Sequence, residues 1–123
     1  MKIFICILTV LTLNSCSRFG ENGIEVAIEN NSNTPITDVQ FTTSEKLDVI
    51  KRTNIDPKET ATDFLSMTKN QSDGAYFLTF TRANGKKEKI GGGYYTNGGA
   101  LDRWVQFDIR TDTTLVTFSG SGY

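Results

Sequence analysis

Few residues in this chain are equipped for chemistry. There are two cysteines, Cys6 and Cys16, and no histidine. Without histidine there is no Ser-His or Cys-His nucleophile, no imidazole ligand for haem and little basis for a zinc site. The Ser-x-x-Lys spacing of penicillin-binding enzymes does not occur. Asp102, Asp108 and Asp112 lie near one another in sequence. Calcium requires several oxygens converging on one point, and alternation along a strand spreads these three apart, so no metal site and no cofactor is expected. No acidic pair is singled out for glycoside cleavage. The expectation is therefore a protein that is not an enzyme.

The side chains suited to contact are aromatic. Tyr94 and Tyr95 sit inside Gly91-Gly92-Gly93-Tyr94-Tyr95-Thr96-Asn97-Gly98-Gly99. Tyrosines with flat faces and polar tips suit sugars or protein partners. The run is not a phosphate loop, since no helix start and no Lys-Ser or Lys-Thr step follows it. Its plainer reading is a bulge and a hairpin turn, with one tyrosine in the core and the other outside. Trp104 falls on the polar side of its strand, between Asp102 and Gln106. Tyr94, Tyr95 and Trp104 are thus the candidate binding surface. Lys86, Lys87 and Lys89 form the dense basic cluster. It reads as a solvated hairpin tip that discourages edge-to-edge aggregation. With a formal net charge of −1 and no basic stripe, the chain has no signature of a nucleic-acid partner.

These residues must be positioned by strands. Ile24, Val26 and Ile28 alternate with Glu25 and Ala27, the period of a half-buried strand. Asn30 to Pro35 is loop chemistry. Ile36 to Thr42 is a second strand, and Leu47 to Ile50 is a short third strand or one helical turn. Asp56-Pro57-Lys58-Glu59 reads as a type I turn, and Thr60 to Met67 as a returning strand. Tyr76, Leu78 and Phe80 share a strand face. Asn84-Gly85 marks a two-residue hairpin with positive φ at both residues, with Lys86 to Ile90 returning. Gly91 to Gly93 interrupts the ladder, and Asn97-Gly98-Gly99 turns again. Leu101, Arg103, Val105, Phe107 and Ile109 alternate with polar residues, and Leu115 to Ser119 closes the chain. Seven or eight short strands at this spacing predict an all-β fold, a single small antiparallel β-sandwich, with a small β-barrel as the alternative.

The N-terminus differs in kind. Lys2 precedes an apolar run from Ile3 to Leu13, and Leu13-Asn14-Ser15-Cys16 follows at once. A basic start, a short apolar core and a small residue before the cut make a secretory signal, and the run is shorter than the roughly 20 residues that span a bilayer. The segment resembles a bacterial lipoprotein signal, with Leu13 to Cys16 looking like the lipobox. The resemblance implies cleavage before Cys16, a diacylglycerol on its thiol and an acylated amino group. It divides the chain into a signal peptide at 1–15, a lipidated cysteine and tether at 16–23, and a domain at 24–123. About 107 residues follow Cys16, enough for one domain with its own core. That domain holds no thiol and so no disulfide. Ser17 in place of the retaining Asp of enterobacterial lipoproteins implies the outer membrane, and the missing acidic run after Cys16 implies the periplasmic side. The pattern from Glu25 to Thr42, with the Asp56-Pro57 turn, resembles immunoglobulin-like or fibronectin-like envelope modules. The expected role is a lipid-anchored, non-catalytic binding or assembly module with the membrane and an envelope protein or glycan as partners. The alternative is an anchored inhibitor or immunity protein against a wall-degrading enzyme or toxin.

Overall fold

The computed structural model describes residues 20–120. The expected signal peptide, Cys16 and most of the tether lie outside the described residues. The rest is all-β. Its strands are β1 (Gly23–Asn30), β2 (Ile36–Thr43), β3 (Val49–Ile55), β4 (Thr60–Ser66), β5 (Gly74–Arg82), β6 (Lys87–Thr96), β7 (Gly99–Ala100), β8 (Trp104–Ile109) and β9 (Thr114–Phe118). They form two sheets, ordered β4-β1-β8-β9 and β3-β2-β5-β6-β7. The sheets face each other as a sandwich.

Alternation explains the core. Ile24, Val26 and Ile28 of β1, Tyr76, Leu78 and Phe80 of β5, and Val105, Phe107 and Ile109 of β8 are all buried. Phe41 stacks on Tyr76 with ring centres 6.0 Å apart and meets Phe107 edge-on at 5.7 Å. These rings join the two sheets, and aromatic pairs in such geometry add to the effect of area burial.

Several local expectations are corrected. The third strand starts at Val49 and runs on to Ile55. No helical turn forms at Glu45 to Lys51, because Lys46 takes a φ of 56° and closes a turn onto Thr43. The Asp56–Glu59 turn is closed by Glu59 N–H to Asp56 O at 3.0 Å, but Lys58 has a φ of 68°. Positive φ at the third position makes it type II rather than type I. The two Asn-Gly steps at the hairpin turns also differ. Asn97 and Gly98 both have positive φ and form the two-residue I′ hairpin between β6 and β7. At the β5–β6 tip only Gly85 does, and Gly85 N–H bonds to Arg82 O at 2.8 Å. That is a type I turn ending in a left-handed residue, the three-residue hairpin form. The alternation expected from Leu101 begins only at Val105. Leu101 and Arg103 are exposed, and Asp102 is buried, receiving the Gly120 N–H at 2.6 Å.

Pairing within the sandwich is antiparallel except at one place. β1 runs parallel to β8, with Glu25 beside Trp104 and Ile28 beside Phe107. Period-two alternation marks a strand's faces and says nothing about its neighbours or their direction.

At one long side the sandwich is tied shut. Arg52 of β3 reaches Asp63 of β4 at 3.1 Å and the Thr62 carbonyl at 3.2 Å. Asn30, fully buried at the end of β1, holds that end together. Its amide donates to Thr34 O at 2.9 Å and Ile55 O at 3.0 Å, while its oxygen accepts from Ser32 N–H and Ser32 Oγ.

Candidate binding surface

The candidate aromatics separate. Tyr95 is buried and Tyr94 is 43% exposed. The cause is a bulge. On β6, Glu88, Ile90 and Gly92 pair with Phe80, Leu78 and Tyr76 and so face inward. Strict alternation would then turn Tyr94 inward. The register instead shifts between Tyr76 and Gly74, and Gly93 takes a φ of 70°. The extra residue reverses the phase, so Tyr95 enters the core against Tyr76. The ladder therefore runs on through Gly91 and Gly92 and is interrupted at Gly93, at the end of the triple glycine. Tyr95 is withdrawn from the candidate surface.

The Tyr95 hydroxyl belongs to a polar cluster that fastens the 67–73 loop. It donates to Glu45 Oε1 at 2.9 Å, and Asn70 Nδ2 donates to Thr43 Oγ1 at 3.0 Å. Partial burial of Glu45 pushes its pKa up. Hydrogen bonds from Gln71 N–H, the Tyr95 hydroxyl, Ser72 N–H and Asn70 outweigh that and hold it below its ordinary value. The hairpin docks on the same loop, with Asn97 N–H on Asp73 Oδ1 at 2.8 Å and Tyr94 Oη 3.4 Å from Asp73 Oδ2. The glycine-rich stretch is thus a structural hairpin, and Tyr94 is its exposed aromatic.

Trp104 keeps the outward phase expected from sequence, with 40% of its surface exposed. It stands on the outer face of the four-stranded sheet. Cross-strand register places Phe64, Glu25 and Trp104 in one row, and Thr62, Ala27, Gln106 and Thr117 in the next. With strands about 4.8 Å apart, the two aromatic positions are roughly 10 Å apart with Glu25 between them. Phe64, Glu25, Trp104, Thr62 and Gln106, with small Ala27 at the centre, line an open depression of about 540 Å³. Phe64 is half-buried and its ring lies over Gly23, where an added Cβ would collide with it. The backbone under Trp104 is fixed as well. Trp104 O accepts from Ser119 N–H at 3.0 Å, and Arg103 O accepts from Glu25 N–H at 2.9 Å. Phe64 was not singled out from the sequence, since pairing across β1 brings it beside Glu25 and only the register reveals that.

No family model matches the chain, and no curated protein matches it. Among solved structures, an NMR structure of a protein from Eubacterium rectale is similar, with a TM-score of 0.55 at 10% identity, covering 85% of this chain and 96% of the other. At that identity the likeness concerns the fold alone.

The three aspartates weighed for calcium do different things. Asp102 caps the C-terminal backbone at Gly120. Asp108 accepts from Asn31 Nδ2 at 2.7 Å and from Arg110 at 3.0 Å. The Asn31 hydrogen bond, against some desolvation and helped by Arg110, holds its pKa below the ordinary value. Asp112 is exposed on the β8–β9 turn.

Proposed function

We propose that this protein is a lipid-anchored, non-catalytic binding module of a bacterial envelope, whose contact face is the outer surface of β4-β1-β8-β9 around Trp104. The observation that carries this reading is the Phe64–Glu25–Trp104 row at the rim of an open depression. An exposed tryptophan on a rigid central strand is the kind of side chain in which interface energy concentrates. Flanking Glu25, Thr62 and Gln106 offer hydrogen-bonding groups to a protein or glycan partner. The Glu45 and Asp108 carboxylates are both displaced downward by structural hydrogen bonds. That direction suits permanent acceptors and not a general acid. The anchor rests on the Leu13 to Cys16 resemblance.

The test is an affinity pull-down of the full-length protein from crosslinked envelopes, comparing wild type with Trp104→Ala and Tyr94→Ala. Trp104→Ala is expected to keep its thermal midpoint within a few degrees and to lose partners, and Tyr94→Ala to keep them. A folded Trp104→Ala protein that retains every partner overturns the reading. A captured wall-degrading enzyme would define the module as an inhibitor. Mass spectrometry of the mature N-terminus is expected to find a lipid-modified Cys16, and a free N-terminus elsewhere would refute the anchor.

A further inference from the structure

The four long strand margins of the sandwich are not protected alike. β3 and β4 guard each other through the Arg52–Asp63 pair. The free margin of β6 carries Lys87, Glu88 and Lys89 and then the Gly93 bulge. β9 has none of these devices. Its sequence, Thr-Leu-Val-Thr-Phe, contains no charge and no proline, its pairing to β8 has no register shift, and Leu115 is 46% exposed. Uncharged, regular margins are the ones other strands add to.

The free hydrogen-bonding groups can be named. Ser119 N–H bonds to Trp104 O, and Arg110 N–H bonds to Thr113 O. Odd-numbered residues of β9 therefore turn their backbone groups toward β8, and Thr114, Val116 and Phe118 turn theirs away. Among the described residues β9 pairs with β8 alone.

We propose that β9 is a dimerisation strand, and that its occupant is β9 of a second copy running antiparallel about a twofold axis at Val116. Only even-numbered residues offer outward groups, and this register pairs them with one another. Val116 meets its own counterpart and Thr114 meets Phe118 of the partner subunit, giving about six backbone hydrogen bonds. The register is self-complementary, as a twofold interface requires. It sets Leu115 opposite the partner's Thr117 and diagonal to the partner's Leu115, within the roughly 7–8 Å over which such side chains interact. The same pairing covers Val116 and Phe118, which are only partly buried in one copy. Val116 and Phe118 pack on Gly92 and Gly93 of β6, which bring no side chains to the seam. The absence of charge on β9 removes the repulsion that would oppose self-pairing.

The test uses sedimentation equilibrium of the full-length protein in density-matched detergent at about 100 μM. Wild type is expected to be a dimer. Leu115→Lys and Leu115→Glu each bring like charges together across the axis and are expected to be monomeric, with circular dichroism and thermal midpoint near those of wild type. Mixing the two variants is expected to restore the dimer, which a merely damaged fold or a lipid-driven cluster would not do. A monomeric wild type, a Leu115→Lys protein that remains dimeric, or a mixture that stays monomeric overturns the proposal.

Discussion

Replacing Asn30 by alanine tests how the end of the sandwich is held. Its side chain makes four hydrogen bonds, two donated to carbonyls and two accepted from Ser32. Thr34 is exposed, so its carbonyl can turn to water, whereas Ile55 and Ser32 are buried. Truncation thus takes the Asn30 partner from the Ile55 carbonyl and the Ser32 N–H in places water does not reach. Each such group costs about 1–3 kcal/mol. Part of that is recovered as the 31–35 loop relaxes, and the expected loss is about 2–4 kcal/mol. In a domain of this size each kcal/mol lowers the melting temperature by about 4–8 °C, so the midpoint is expected to fall by at least about 8 °C. Asn30→Asp is expected to do no better, because it points a second oxygen at the two carbonyls that Nδ2 now serves. Urea unfolding followed by circular dichroism measures the difference, with the exposed Asn33→Ala as the neutral comparison. An Asn30→Ala protein within about 0.5 kcal/mol of wild type, the usual scatter of surface substitutions, would refute the account.

Phe107→Ala is expected to cost about 3–5 kcal/mol in urea unfolding, since its ring is buried between the sheets against Phe41. Gly98→Ala is expected to destabilise more than Gly85→Ala on thermal melting. Both glycines have positive φ, but a Cβ at Gly98 would run into the Asn70 backbone while one at Gly85 meets nothing within 4 Å. Glu45→Gln addresses pH dependence. A carboxylate whose pKa is depressed by folding stabilises the fold above its unfolded pKa and loses that contribution as pH falls through the folded value. The midpoint difference between wild type and Glu45→Gln is therefore expected to be largest near neutrality and to shrink in acid, as pH-resolved melting would show.

Much of the architecture was legible because half-buried strands write their faces in the sequence. β1, β5 and the inner residues of β8 follow period two without exception, and the outward phase of Trp104 came with them. Backbone devices were less legible. The bulge at Gly93 decides which tyrosine is buried, and a triple glycine announces freedom without saying where it is used. Asn-Gly stands at two of the hairpins and makes two different turns there, since the flanking registers determine the hairpin length. Asp102 looked like one member of an alternating strand and is a buried cap, because the strand begins two residues later. The row that joins Phe64 to Trp104 depends on strand order, which arises from tertiary packing and leaves no local trace.

The parallel pairing of β1 with β8 has a consequence for the order in which the chain matures. Glu25 waits for Trp104, which is synthesised 79 positions later. Hairpins such as β2–β3 and β5–β6 close locally, and β1 can meet β4 early. One flank of β1 nevertheless stays unsatisfied until nearly the whole chain is available. Contacts this distant in sequence are slow to form. A polypeptide with a late-closing first strand cannot complete its four-stranded sheet while it is being made, whichever hairpins have already closed. The core between the sheets therefore locks only when the C-terminal strands arrive, and the earlier hairpins wait on them.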